Sequence, residues 1–183
     1  MFEAETWRAP ATRRGALCSG GMSLELTAIT PEGINAIPAA FTSSVAAEIV
    51  KATMQLYRAE GYELPWIGYL AFEDGLCVGS CGFKSSPREN RVEIAYFTFP
   101  GHESKGVATR MAGELIRLAF DKSPNVIVAA QTLPEKSAST SILKKLGFCF
   151  VAAIEHREDG LVWEWQLSNG SDSRRPSLDQ NTG

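Results

Sequence analysis

Residues Pro100–Phe120 read PGHESKGVATRMAGELIRLAF, a short loop of Gly and small polar residues running straight into a helical pattern. Val107, Met111, Leu115 and Leu118 recur at helical spacing, with Ala108, Ala112, Ile116 and Ala119 beside them. Arg110, Glu114, Arg117 and Asp121 take the other side, so the segment is an amphipathic helix with one buried face. Just upstream, Val92–Phe99 is rich in β-branched and aromatic residues and reads as a strand. A strand that feeds a tight loop and a helix start leaves main-chain N–H groups unpartnered at the positive end of the helix dipole. Such a place binds anions, and Ser104, Gly106 and Ala108 are small enough to let a phosphate approach the main chain. The loop carries neither G-x-x-x-x-G-K-[ST] nor G-x-G-x-x-G, so it is neither a P-loop nor a dinucleotide fingerprint.

The loop resembles the pyrophosphate loop of the GNAT N-acyltransferases, Q/R-x-x-G-x-G/A after a strand and a Pro. Glu103, Ser104, Lys105, Gly106, Val107 and Ala108 fall on that pattern, with Glu103 where the family has Gln or Arg. Downstream, Gln131–Phe148 reads QTLPEKSASTSILKKLGF. It is similar to the second signature of the branch containing the Rim-type ribosomal-protein N-terminal acetyltransferases: a strand ending in Leu-Pro-Glu, Asn-x-x-Ser, a helix, and Lys-x-Gly-Phe. With EIAY at Glu93–Tyr96, the resemblance spans Leu24 to Leu167. It implies an α/β fold with a mixed, largely antiparallel sheet of roughly six to seven strands flanked by helices. It also implies acetyl-CoA as cosubstrate and an amine acceptor, either a small molecule or a peptide N-terminus.

Site residues follow from the same resemblance. Phe97, Phe99, Ser104, Lys105, Gly106, Val107, Ala108 and Thr109 are the expected cofactor contacts, with Arg110 and Lys105 adding positive charge. The family's equivalent strand carries a bulge that frees an N–H toward the thioester oxygen, a role expected of Tyr96, Phe97 or Thr98. Ser139 matches the Ser of Asn-x-x-Ser, which the branch places near the CoA sulfur as general acid; the other reading is a helix-capping Ser among Ser137, Thr140 and Ser141. Lys136 holds the Asn position, and Leu143 stands where many relatives carry a proton-donating Tyr, so solvent is the other acid. Glu93 is the candidate general base, an acidic residue in an otherwise apolar strand. Its other reading is a carboxylate facing solvent or paired with Arg88 or Arg91.

At 183 residues, 44% hydrophobic and 21% charged, the chain suits one globular domain. A net charge of −3 argues against a polyanion partner, and no apolar run approaches the roughly 20 residues that span a bilayer. Cys77 and Cys81 lie in one strand, about 13 Å apart along it, too far for a mutual disulfide. With Cys18 and Cys149 they read as small buried thiols in a cytoplasmic protein. The two histidines, His102 and His156, have no clustered partners, so neither a metal site nor a hydrolase triad is indicated.

In chain order, Met1–Gly21 is aperiodic and reads as a disordered extension, with Met22 as an alternative start. The GNAT domain is placed at 22–168, and 169–183 is read as a disordered tail. Leu24–Ile29 is a strand, and Thr30-Pro31-Glu32 reads as a helix start that Pro38 interrupts. A second helix covers Ser43–Gly61 with Val45, Ile49, Ala52, Leu56 and Ala59 as its stripe. The resemblance puts the acceptor pocket against this helical pair, where Phe41, Met54, Tyr57, Tyr62 and Trp66 are the bulky residues, most of them expected in the core and only one or two facing a substrate. Trp66–Phe72 and Leu76–Phe83 form a hairpin across Glu73-Asp74-Gly75. Val126–Gln131 is a buried strand, Glu135–Leu146 a helix, and Phe148–Glu155 with Leu161–Leu167 a closing hairpin. The competing functional classes are a CoA-binding module without catalysis and a partner-binding protein on an α/β scaffold; a monomer and a homodimer fit equally.

Overall fold

Alternating apolar runs and Gly-containing turns lay down seven strands in one sheet, in the order β1-β2-β3-β4-β5-β7-β6. A computed structural model describes residues 23–34, 44–156 and 160–170. The expectations for the N-terminal extension, Cys18, Pro38 and Phe41, the connection of the closing hairpin at 157–159 and the tail from 171 onward lie outside the described residues. The elements are β1 (Leu24–Ala28), α1 (Ser44–Glu60), β2 (Gly68–Glu73), β3 (Leu76–Phe83), β4 (Arg91–Thr98), α2 (Val107–Lys122), β5 (Ile127–Thr132), α3 (Ala138–Lys145), β6 (Cys149–His156) and β7 (Gly160–Leu167). All neighbours pair antiparallel except β4 and β5, which run parallel and are joined through α2.

The helix read from Pro100–Phe120 is α2. Its stripe of Val107, Met111, Ala112, Leu115, Leu118 and Ala119 is buried, packed over β3 and β4. Burying such side chains is worth about 1.5–3 kcal/mol apiece and holds the loop before the helix in place. Gly79 is what lets α2 sit so close, because a Cβ there would fall 2.6 Å from the Phe97 carbonyl and 2.9 Å from Met111 Cε. On the far side, Arg117 pairs with Glu114 (2.9 Å) and Asp121 (2.8 Å) in water.

Two sequence expectations are corrected near the N-terminus. Thr30–Gly33 is no helix start: Thr30 and Gly33 bond each other's main chain at 2.8 and 2.9 Å, and the Thr30 hydroxyl also donates to the Gly33 carbonyl at 2.8 Å. The chain therefore closes into a tight turn, with Gly33 at φ 105° where only glycine is at ease. The buried face of α1 is also rotated from the expected stripe. Ala46 and Tyr57 are buried, whereas Ala52, Leu56 and Ala59 are exposed. The rotation is set by the Tyr57 hydroxyl, which donates to the Ile29 carbonyl and accepts from the Gly68 N–H, both at 2.9 Å. Two buried hydrogen bonds outweigh an apolar stripe that can stay partly wet.

The thiols are a mixed set: Cys81 is buried, Cys77 half-buried and Cys149 exposed, all unbridged. Cys149 thus departs from the expectation of buried thiols, because it opens β6 directly after the Gly147-Phe148 turn at the sheet surface.

Candidate active site

β4 and β5 pair over only three positions, Arg91↔Ile127, Val92↔Val128 and Glu93↔Ala129, and then part. β4 continues against β3 in unbroken register from Ile94 to Thr98. The bonds from the Lys84 N–H to the Glu93 carbonyl and from the Phe99 N–H to the Val78 carbonyl give odd-numbered residues of β4 to β3. The main-chain groups of Tyr96 and Thr98 therefore face the gap left by β5. No bulge interrupts β4, contrary to the expectation; the divergence of β5 frees the N–H groups instead. Phe97, being odd, spends its main chain on β3.

At the end of β4 the chain enters the loop Phe99–Gly106. Ser104 (φ 61°) and Gly106 (φ 75°) are both left-handed, which swings successive amides toward one side. Gly106 caps α2 without a side-chain bond, and no acidic residue occupies the first turn. Among the described residues, the N–H groups of Gly106, Val107, Ala108 and Thr109 make no hydrogen bond. Glu103 stays beside these amides, with its Oε2 accepting the Gly101 N–H at 2.7 Å. Bonds from its own N–H and from Gly101 hold this carboxyl below its ordinary range, so it stays an anion turned back on its own turn. The two cations read as helpers are committed to the loop itself. Lys105 Nζ donates to the Gly101 carbonyl at 2.9 Å and Arg110 Nη1 to the Lys105 carbonyl at 3.0 Å.

Helix α3 brings the second signature across the gap. Its N-cap is Ser137, in a reciprocal capping box with Thr140. The hydroxyls of Thr140 and Ser141 both donate to the Ser137 carbonyl, at 2.9 and 3.0 Å. Those neighbours are thereby used up by the helix start, whereas Ser139 projects half-buried into the gap. Opposite it stands Tyr96, whose Oη is buried without an aligned hydrogen bond, as is Thr98 Oγ1. Burial pushes the Tyr96 phenol up to about 12, with the Ser139 hydroxyl pulling slightly the other way. Leu143, the residue in the family's Tyr position, is wholly buried under α3.

Glu93 lies where β4 and β5 separate, with only 12% of its side chain exposed. Lys84 Nζ sits 2.5 Å from Oε1, close but not aligned as a hydrogen bond. Arg91 Nη2 lies 3.5 Å from Oε2 and also pairs with Glu164 at 3.1 Å. Of the two readings of Glu93, pairing with Arg91 is therefore present, with Lys84 added.

Three cavities meet here. A groove of about 450 Å³ runs from Tyr96 and Thr98 over the loop to Ser139 and Ile142. A second, of about 330 Å³, passes through the gap between Glu93, Tyr96, Gln131, Leu133 and Ser139. A third, of about 210 Å³, lies under α1. Tyr96 lines all of them. Of the expected cofactor contacts, Phe97, Ser104, Gly106, Val107, Ala108 and Thr109 line the groove, joined by His102 and Glu103. Phe99 is in the core and Lys105 is turned to the loop's back. Of the bulky residues near α1, Tyr57 and Trp66 are core, as most of the set was expected to be, and Ile49, Thr53 and Leu56 are the α1 residues that wall the third cavity. The Tyr96 side chain is the site residue that sequence reasoning missed. Its only signal was a polar aromatic in an otherwise apolar strand face. No set of His, Cys, Asp and Glu among the described residues is arranged for a metal, and no described helix is long and apolar enough to cross a membrane.

Residues 25–149 match the family model described as Acetyltransferase (GNAT) domain. Among curated proteins, none matches the chain. Solved structures share the fold at low identity. RimL, the ribosomal L7/L12 alpha-N-protein acetyltransferase in complex with coenzyme A, superposes with a TM-score of 0.62 at 15% identity, over 83% of this chain and 97% of that one. yncA of Salmonella typhimurium with its cofactor acetyl-CoA gives 0.55 at 19% identity, over 70% and 78%. An acetyltransferase from Agrobacterium tumefaciens gives 0.55 at 14% identity, over 85% and 99%. The family model covers well over half of the sequence, and the chain belongs to the GNAT acetyltransferase family.

Proposed function

We propose that this GNAT-family chain is an acetyl-CoA-dependent N-acetyltransferase that serves a primary amine, small molecule or peptide N-terminus, by direct attack in a ternary complex. The observation that carries the reading is a pair of buried hydroxyls without an aligned hydrogen bond, Tyr96 Oη, with the Ser139 hydroxyl beside it, and Thr98 Oγ1. They lie in a groove whose other end is a loop of unpartnered amides. Buried polar groups are rarely left unpaired unless a ligand completes them. A diphosphate fits the amides of Gly106–Thr109, and an amide-bearing chain fits the hydroxyl row. Acetyl-CoA supplies an activated acetyl thioester there.

The residues then divide the work. The main-chain N–H groups of Tyr96 and Thr98, freed by the parting of β5, donate toward the developing oxyanion. Ser139, with the Tyr96 phenol behind it, gives a proton to the departing sulfur; at neutral pH burial keeps that phenol protonated. Glu93 takes the amine's proton, directly or through water, once the incoming ammonium has displaced Lys84 from Oε1. The unbridged cysteines suit a reducing compartment, so we place the protein in the cytoplasm.

Calorimetry with CoA and assay of amine-dependent thiol release test the reading. Saturable CoA binding with turnover of at least one amine supports it. Binding without turnover across polyamines, amino-acid amides, aminoglycosides and peptides supports a CoA-binding module without catalysis instead. Absence of binding at millimolar CoA overturns both.

A further inference from the structure

The cavity under α1 has a defined floor. On the face of the sheet that α1 covers, Gly68, Gly82 and Ala95 stand in one cross-strand row, since Gly68 pairs with Gly82 and Gly82 with Ala95. The neighbouring row on that face is Leu70, Ser80 and Phe97. Gly68, Gly82 and Ala95 lie along the floor of a trough between sheet and helix. It opens at Ala95, which also lines the gap beside Glu93. Neither glycine is itself open: over Gly82 a Cβ would fall 2.7 Å from Gly68 Cα and 2.8 Å from the Ile67 carbonyl, and over Gly68 it would fall 2.7 Å from Thr53 Cγ2. These close approaches and the Tyr57 hydroxyl bonds seat α1 on the sheet beside the trough.

The apolar walls of the trough are Ile29, Ile49, Leu56 and Phe97, and its uncharged polar lining is Thr53, Tyr69, Ser80 and Tyr96. Leu56 (38% exposed) and Phe97 (51%) are large apolar residues left open to solvent at its mouth. At the other end of β4, about 13 Å from Phe97, stand Glu93, Lys84 and Arg91. Along β4 the side chains on the α1 face thus run from charged at Glu93 to apolar at Phe97, while the Tyr96 side chain is on the opposite face and its main chain borders the gap between them.

We propose that the trough is the acceptor's side-chain subsite, and that the acceptor is an α-amine whose own side chain is apolar. This rests on the acetyltransferase reading above. The amine lies at Ala95 and Tyr96 with Glu93 on one side. Its substituent passes beneath α1 between Ile49, Leu56 and Phe97. At about 210 Å³ the trough takes one aliphatic or aromatic side chain and excludes a drug-sized ligand. A cationic side chain there would lose water to Ile29, Ile49 and Phe97 with no carboxylate among the lining residues to repay it.

The experiment compares glycinamide, leucinamide and lysinamide as acceptors with acetyl-CoA, for the wild type, Leu56→Trp and Leu56→Glu. Leu56 is on the surface of α1, so neither variant threatens the core. Burial of each methylene is worth roughly fourfold, so leucinamide exceeds glycinamide in kcat/KM by at least about tenfold. Leu56→Trp, which fills the mouth, lowers that ratio by about tenfold, and Leu56→Glu shifts preference toward lysinamide by a similar factor. A flat or inverted wild-type ranking, or ratios indifferent to both variants, overturns this inference while leaving acetyl transfer intact. Failure of all three amides while another amine is acetylated overturns this inference alone, and failure of every amine with CoA still bound overturns the acceptor reading of the last subsection as well.

Discussion

Glu73 Oε1, at the buried end of β2, accepts both the Nε–H (2.9 Å) and the Nη2–H of Arg110, and the same guanidinium holds the Lys105 carbonyl at 3.0 Å. One ion pair therefore ties the β2–β3 hairpin to the anion loop. Its halves are unequal: the Glu73 side chain is 3% exposed and that of Arg110 37%. Arg110→Ala strands a buried carboxylate and is expected to cost about 3 kcal/mol in urea unfolding. Glu73→Ala leaves a cation that water can reach, and is expected to cost about 1 kcal/mol. Both release the Lys105 carbonyl and weaken CoA binding measured by calorimetry. Equal stability losses for the two variants would contradict the asymmetry.

Gly106 begins α2 at φ 75°, and a Cβ there would lie 3.2 Å from Arg110 Nη1. Gly106→Ala should destabilise by about 1 kcal/mol through the left-handed backbone. Its larger effect falls on CoA affinity, because relief of the strain turns the free amides of the loop away. A variant that unfolds more easily yet keeps wild-type CoA affinity argues against those amides as the diphosphate site.

Ser139 and Tyr96 share the gap, so their removal should be less than additive. Ser139→Ala and Tyr96→Phe are each expected to lower kcat by about tenfold to a hundredfold, with a much smaller change in KM for acetyl-CoA. The double variant should be little worse than either single one. Because burial lifts the Tyr96 phenol to about 12, its loss of a proton produces no fall in rate below about pH 10.5. Strictly multiplicative effects would assign the two hydroxyls to separate tasks.

Glu93→Gln keeps the shape of the site and removes the proton acceptor, so kcat/KM for the amine should drop about 10²- to 10⁴-fold. The loss should shrink as assay pH rises, since more of the amine then arrives already neutral. A Gln variant with unchanged rate at neutral pH leaves Glu93 as a structural partner of Lys84 and Arg91 alone.

Tyr57 couples α1 to β1 and β2, and burial raises its phenol to about 12, partly opposed by the Gly68 N–H bond. The folded pKa lies above the unfolded one, so this stabilisation is complete below about pH 10 and is lost as pH climbs through 12. Tyr57→Phe should cost about 1–3 kcal/mol at pH 7 by leaving the Ile29 carbonyl and Gly68 N–H unpaired. It should also flatten the alkaline decline in urea midpoint between pH 9 and 12, in part only, because burial raises Tyr69 and Tyr96 in the same direction. An unchanged alkaline slope would remove Tyr57 from the linkage.

Local chemistry was enough for the parts of this protein that depend on neighbours in sequence. The loop and helix of Pro100–Phe120, the hairpin at Asp74-Gly75 and the stop at Gly147 follow from periodicity and turn residues within a few positions of one another. The two signature stretches likewise disclosed the family and singled out Ser139, which lines the gap. What distant parts of the chain impose on each other was not legible. The parting of β4 from β5 after Glu93, the rotation of α1 by the Tyr57 hydroxyl, and the trough floored by Gly68, Gly82 and Ala95 all arise between strands far apart in sequence. Pairing partners and cross-strand rows exist only once the sheet has assembled, and it is there that Tyr96 becomes a buried hydroxyl facing Ser139.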